Sequence, residues 1–325
     1  LAEIARSLEK DGHPPEAVAS FLMRCIFTMF AEDVRLIPEK SFTTKLKAWK
    51  EKPEKFVKGI QAMWMDMAAG SEASTAFGDV AGARVLCFNG GLFAHVDAFP
   101  LTTRALTFLL NAAEQDWKEV DPSIFGTLLE RALNPTERHK LGAHFTPRAY
   151  VDRLVQPTVV EPLRADWDRV QQAVSKHLLK DTAKGKAAAK KELLEFHHQL
   201  CATKVLDPAC GTGNFLYVAL EHMKRLEGEV LERLAEIEGT RRLDLFGKDH
   251  ETVDPHQFLG IEVNERAAVI AELVLWIGYL QWHFRNAVRQ GDEWPEPVLK
   301  KFGNIERRDA VLAWDALDLD GHPTT

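Results

Sequence analysis

One segment limits the folds open to this chain more than any other: Val205-Leu206-Asp207-Pro208-Ala209-Cys210-Gly211-Thr212-Gly213-Asn214-Phe215-Leu216. A short strand pattern runs into a tight loop of small residues, and the loop passes directly into a helical pattern. Gly211 and Gly213 permit positive φ and leave room for a ligand to lie against the main chain. Asp207, at the end of the strand, suits a cationic ligand group.

The flanking sequence repeats the alternation. Strand signals stand at Lys204–Asp207 and Phe258–Glu262, with a weaker one from Phe302 to Asp309. Between them lie helical patterns from Asn214 to about Glu238 and from Glu265 to about Phe284. Strands alternating with helices predict a parallel, doubly wound sheet. The first 70 or so residues read instead as helices. Pro14 and Pro15 open one, Ser41 is placed to cap a second, and Pro53 starts a third that Gly70 stops. Asn89-Gly90-Gly91 is a turn signal, and helical patterns resume at Leu101–Ala113 and Asp121–Leu133. After Pro147 the chain reads as helical to Leu200.

The glycine loop has competing readings. A phosphate-binding loop requires Gly-Lys-Ser/Thr, which is absent. A dinucleotide fingerprint requires a third glycine where Leu216 stands. A purely structural turn is the plain alternative. The full block Asp-Pro-Ala-Cys-Gly-Thr-Gly-Asn-Phe closely resembles the cofactor loop of class I S-adenosylmethionine-dependent methyltransferases, especially those that methylate amino groups of DNA.

The resemblance extends in both directions. Gly260-Ile261-Glu262-Val263-Asn264 ends the second strand, where the family places an acidic residue that accepts both ribose hydroxyls; a dipole-stabilised helix start is the alternative for Glu262. Asn304-Ile305-Glu306-Arg307-Arg308-Asp309-Ala310 resembles the third cofactor motif, whose Asp accepts from the adenine amino group; a surface turn is the alternative. Upstream, Phe145-Thr146-Pro147 is similar to the segment that precedes the glycine loop in N6-adenine methyltransferases and holds the methionine carboxylate at a helix start; a plain cap at Thr146 is the alternative. The resemblance therefore implies a site for S-adenosylmethionine lined by Phe145, Thr146, Asp207, Ala209, Cys210, Gly211, Gly213, Asn214, Phe215, Glu262, Val263, Asp309 and Ala310.

Phe125-Gly126-Thr127-Leu128-Leu129-Glu130, Asn89-Gly90-Gly91-Leu92-Phe93 and the stretch Phe21–Asp33 look like the fused restriction–modification enzymes of the MmeI-like kind. That likeness implies an α/β chain: an all-helical spacer domain over 1–120, then a partial Rossmann-like methyltransferase domain over 121–325. The second domain would hold the first three strands of its parallel sheet and a helical insertion at about 161–201. It also implies double-stranded DNA as partner, mainly through regions outside this chain, with a nuclease upstream and a target-recognition domain downstream.

Adenine methylation in this family uses Asn or Asp followed by Pro-Pro and an aromatic, which holds the flipped base. No such run occurs in the 325 residues: Pro14-Pro15 follows His13, and Asp121-Pro122, Asn134-Pro135 and Asp254-Pro255 lack a second Pro. The motif is expected on a fourth strand shortly after Asp309, so this chain alone is expected not to methylate DNA.

Composition sets bounds on the rest. Hydrophobic residues at 46% and charged residues at 27% are ordinary for a globular chain, and no apolar run reaches the length of a membrane span. Four scattered cysteines without a Cys-x-x-Cys pair suit a reduced, cytoplasmic protein without a structural zinc, and His197-His198 lacks ligand spacing. The net charge of −7 argues against a surface that grips DNA throughout, and the Lys184–Lys191 run reads as a solvated helix face. Trp276, Trp282 and Phe284 read as core residues, and Cys210 as a packing residue. Two other functions remain open: a non-catalytic scaffold, and a methyltransferase acting on RNA or protein.

Overall fold

The computed structural model describes residues 1–77, 83–85, 88, 91–93, 95–118, 120–122, 146–179, 182–239, 251–290, 303–311, 316–317 and 323–324. The N-terminal part is helical, as its periodicity predicts: α1 (Ala2–Lys10), α2 (Pro15–Asp33), α3 (Ser41–Glu51), α4 (Phe56–Ala69) and α5 (Thr103–Ala113). Pro15 occupies the first turn of α2, where its missing N–H costs no hydrogen bond. α2 is buried along nearly its whole length and forms the axis of an aromatic core. There Phe21 meets Trp64 edge-on at 5.9 Å and Phe27 meets Phe88 at 5.4 Å. The buried Arg24 is paired within this core: its guanidinium donates to the Asp97 carbonyl at 2.8 Å and lies 5.1 Å over Trp64.

Two local readings are corrected. Ser41 is the first residue of α3 and not its cap; Lys40 precedes it in the left-handed region at φ 56° and makes no side-chain cap. The acceptor comes from α2, where the Glu32 carboxylate takes the amides of Phe42 at 2.5 Å and Thr43 at 3.2 Å. Strands also arise earlier than expected. β1 (Ser71–Ser74) and β2 (Ala83–Val85) pair antiparallel, although Ser-Glu-Ala-Ser has little intrinsic strand preference. Pairing with β2 and a bond from the Ser74 hydroxyl to Asp66 hold it there. Asn89, Gly90 and the Asp121–Leu133 pattern lie outside the described residues, except for its first two positions; Gly91–Phe93 is a 3-10 turn.

The helical stretch after Pro147 consists of α6 (Arg148–Val155), a π-helical turn at Gln156–Val160, α7 (Glu161–Leu178) and α8 (Ala183–Ala202). The π turn contains Pro157, which removes a backbone donor from the ladder. α7 and α8 pack as a pair, with Trp167 stacked on Phe196 at 5.3 Å. Lys190 and Lys191 on α8 form ion pairs with Glu238 and Glu195.

The predicted parallel sheet is present. β3 (Val205–Asp207), β4 (Phe258–Ile261) and β5 (Ile305–Glu306) lie in the order β3-β4-β5, Val205 opposite Phe258 and Gly260 opposite Ile305. α9 (Asn214–Glu238) and α10 (Glu265–Gln290) make the crossovers and pack on each other, with Trp276 in the core as expected and Trp282 half-buried at its margin. α10 also packs on α2, and Gln281 donates to the carbonyls of Lys118 and Val120. A separate antiparallel pair, β6 (Ala316–Leu317) and β7 (Pro323–Thr324), follows. Among the described residues no helix is long and apolar enough to cross a membrane.

Candidate functional site

In a parallel sheet the strands all end on one side, and the turns that follow them converge there. β3 delivers Asp207 to that side, β4 delivers Glu262, and β5 leads to Asp309 three residues beyond its end. Between β3 and α9 the glycine loop turns with Gly211 at φ 54° and Gly213 at φ 78°. Gly213 is required twice over: its backbone is left-handed, and a Cβ there would come within 3.0 Å of Ala271. At Gly211 a Cβ would meet nothing within 4 Å among the described residues. The loop thus presents bare backbone to open space at that point.

Glu262 is fastened to this loop. Its Oε2 accepts the Gly211 amide at 2.8 Å, and its Oε1 accepts the Asn264 amide at 2.7 Å. A carboxylate has about four acceptor positions, so two remain for hydroxyl donors. Below it, Cys210 N donates to the Ile261 carbonyl at 3.0 Å, and Glu262 N donates to Glu306 O at 2.9 Å. These bonds set the carboxylate by backbone on both sides. Val263, the next residue, is 72% exposed, an unusual position for a valine and an apolar wall beside the carboxylate.

Asp207 accepts the Ala209 amide at 3.1 Å. Burial pushes its carboxyl above the usual range and the nearby Glu262 charge adds to this, against the lowering effect of the Ala209 amide. The Cys210 thiol is pushed up to about 12 by burial and by the same two carboxylates. It stays protonated and packs against Gly260, where a Cβ would come within 2.7 Å of its sulfur. Two half-buried carboxylates beside a glycine loop attract a cation or a polyhydroxyl donor.

Phe145 lies outside the described residues. Thr146 is half-buried, and its carbonyl accepts the Asn214 side-chain amide at 2.9 Å. Pro147 is the N-cap of α6, with no side-chain cap bond, so Thr146 does not cap this helix. α6 is held on α9 by Arg148 to Glu221 at 2.7 Å and by His222 to Asp152 at 3.2 Å. Asp207, Ala209 and Phe215 border a cleft of about 540 Å³ between the π turn and β3. Leu206, 58% exposed, lies in the same cleft, and β3 has no second strand neighbour among the described residues. Asp309 accepts the Val311 amide at 2.8 Å, and Ala310 is exposed.

Sequence reasoning missed one constellation. His197 and Cys201, one helical turn apart on α8, meet Glu227 of α9, and their ligand atoms lie within 4.8 Å of one another. The donor types suit a metal, but the positive charge at this spot is the Lys224 ammonium, 2.6 Å from Glu227. Burial and the Glu227 charge push the Cys201 thiol up, which opposes the thiolate that a metal needs. The signal in the sequence is His-x-x-x-Cys, which sets His197 and Cys201 on one face of a helix.

The chain is similar to known proteins. The model of the MmeI DNA-methyltransferase domain matches residues 182–319, and that of the MmeI helicase spacer domain matches residues 16–93. DNA methyltransferase A of Bacillus subtilis (strain 168) is 25% identical over 302 residues, which are 90% of this chain and 31% of that protein. The structure of the Type IIL restriction-modification enzyme MmeI in complex with DNA superposes with a TM-score of 0.78 at 24% identity, over 95% of this chain and 39% of that one. The chain therefore spans about a third of the length of these relatives. Its fold is a helical region followed by a partial Rossmann-like methyltransferase domain. Two domain models of one family match in order along the chain, which supports an MmeI-like methyltransferase; that family uses a methyl donor.

Proposed function

We propose that this chain binds S-adenosylmethionine on the glycine loop and serves methyl transfer to adenine N6 in double-stranded DNA, within a restriction–modification system. The observation that carries the reading is Glu262, fixed on the loop by the Gly211 and Asn264 amides with acceptor capacity to spare. In this reading Glu262 accepts the ribose hydroxyls, Val263 packs on the adenine, and Asp309 accepts its amino group. Gly211, Gly213, Ala209 and Cys210 form the floor, and the segment at Phe145 and Thr146 takes the amino-acid end. The cofactor supplies a methyl group made electrophilic by the sulfonium. Asp207 and Glu262 bring negative charge to the side of the site where that cation would lie, which relieves the mutual repulsion noted at Asp207. Residues 1–120 act as spacer and 121–325 as the cofactor-binding part. DNA contacts, a nuclease and a recognition domain belong to further parts of such an enzyme.

Calorimetric titration with S-adenosylmethionine tests this directly. Saturable binding to one site is expected; a folded chain that takes up none would leave the scaffold reading in its place. No transfer of labelled methyl to adenine is expected from this chain alone, since no residue run in it matches the amine-holding motif. Methylated adenine in that assay would overturn the assignment of this step to other sequence.

Asp207 gives an independent check through stability. Its carboxyl is raised in the fold, so the free chain is penalised for ionising it. The penalty is absent below the ordinary value of 3.8, grows as pH rises toward the raised value, and is complete above it. Asp207→Asn keeps an acceptor for the Ala209 amide and removes the charge. The variant is expected to melt higher than the parent at pH 7 and to lose stabilisation by S-adenosylmethionine. A lower melting point without ligand would contradict the strain assigned to this carboxylate.

A further inference from the structure

Asn214 stands inside the glycine-loop block, where a direct contact with cofactor is the first expectation. Its side chain is otherwise employed. Asn214 is the first residue of α9, buried at 9% exposure, and its Nδ2 donates to the Thr146 carbonyl at 2.9 Å across 68 residues of sequence. One N–H of the Asn214 amide is thus committed to the backbone that leads into α6. Gly213, the preceding residue, is held by Ala271 and by its own left-handed backbone, so the anchor end of this bond is rigid. At the Thr146 end the backbone carbonyl is held by a distant element at the point where α6 begins.

We infer that Asn214 is a positioning residue that acts through Thr146: it fixes the segment before α6 against the start of α9 and so sets the part of the site that takes the amino-acid end of the cofactor. This rests on the cofactor reading above. Only a donor of this length at this place does the work. The change Asn214→Asp would set a carboxylate against the Thr146 carbonyl, and Asn214→Ala would leave that carbonyl without its partner. α6 has other ties to α9, through Arg148–Glu221 and His222–Asp152, so the helix as a whole stays docked when this one bond is lost. The effect is therefore local to its first turn.

The test compares two ligands. S-adenosylhomocysteine carries the amino-acid end, and 5′-methylthioadenosine lacks it while keeping the nucleoside. Asn214→Ala and Asn214→Asp are expected to weaken S-adenosylhomocysteine by about threefold to tenfold, the equivalent of one net hydrogen bond, with 5′-methylthioadenosine changed less than about twofold. Equal weakening of both ligands, or of neither, in a folded variant overturns the inference and leaves the cofactor site standing. A wild-type chain that binds neither ligand overturns the cofactor reading and this inference with it. Should neither variant fold, hydrogen exchange in the wild-type chain carries the test. S-adenosylhomocysteine must then protect the Tyr150 and Val151 amides, both bonded to the Pro147 carbonyl, more than 5′-methylthioadenosine does. Equal protection by the two overturns it.

Discussion

Lys224→Met is expected to cost about 3–5 kcal/mol of stability at pH 7, the largest loss foreseen for a single side chain outside the glycine loop. Lys224 is buried, and its ammonium donates to Glu227 at 2.6 Å and to the Thr252 hydroxyl at 2.9 Å while lying 5.6 Å from the Tyr279 ring centre. Glu227 is buried further still. Its Oε1 also accepts the Val253 amide and the Thr252 hydroxyl, each at 2.8 Å, and faces His197 at 3.3 Å. Burial alone would raise this carboxyl, yet Lys224 and His197 hold it at about 2. Removing the ammonium leaves a buried carboxylate with its counter-charge gone, and the bond from α9 to Thr252 ahead of β4 is lost with it.

The pH dependence follows from the direction of that shift. A carboxyl held below its ordinary value of 4.5 contributes stability above that value and loses it as pH falls toward 2. In Lys224→Met the carboxyl rises and can protonate within the fold. The gap between parent and variant is therefore expected to narrow from pH 7 to pH 4 in urea denaturation. Lys224→Met combined with Glu227→Gln keeps acceptors for the Val253 amide without a lone charge, and a substantial part of the loss is expected to return. A loss under about 1 kcal/mol, or one equal at both pH values, would refute the buried-pair account.

The contrast between this cluster and the glycine loop explains what the sequence discloses. Gly211, Gly213 and Asp207 act through local backbone geometry, so spacing along the chain carries their meaning. The parallel sheet of β3, β4 and β5 was legible for a related reason, because alternating strands and helices leave few arrangements. The Lys224–Glu227–His197 cluster depends on two long helices meeting at a particular rotation, which periodicity does not specify. The same holds for Glu32 capping α3 from α2, and for β1, whose residues become a strand only by pairing with β2. Asn214 shows the intermediate case: its place in the loop block was evident, while its partner Thr146 was set by tertiary contact.

Glu262→Ala is expected to reduce affinity for S-adenosylmethionine by on the order of 10²-fold, and it is the substitution that the proposed cofactor site tolerates least. One charge-assisted hydrogen bond contributes about 1.5–3 kcal/mol, and the carboxylate would offer two to the ribose. The structural cost is small by comparison. The amides of Gly211 and Asn264 lose their acceptor, but both lie in turns where water can replace it. Affinity and stability therefore separate: the variant should melt within a few degrees of the parent while its titration signal collapses. Glu262→Gln sharpens the assignment, because a side-chain amide keeps one acceptor oxygen and loses the charge. It is expected to bind with intermediate affinity and to weaken 5′-methylthioadenosine and S-adenosylmethionine alike, since both carry the ribose. Asn214 variants separate ligands with and without the amino-acid end, and Glu262 variants do not. A Glu262→Ala chain that binds as tightly as the parent would move the nucleoside away from β4 and leave this carboxylate as a brace for the glycine loop alone.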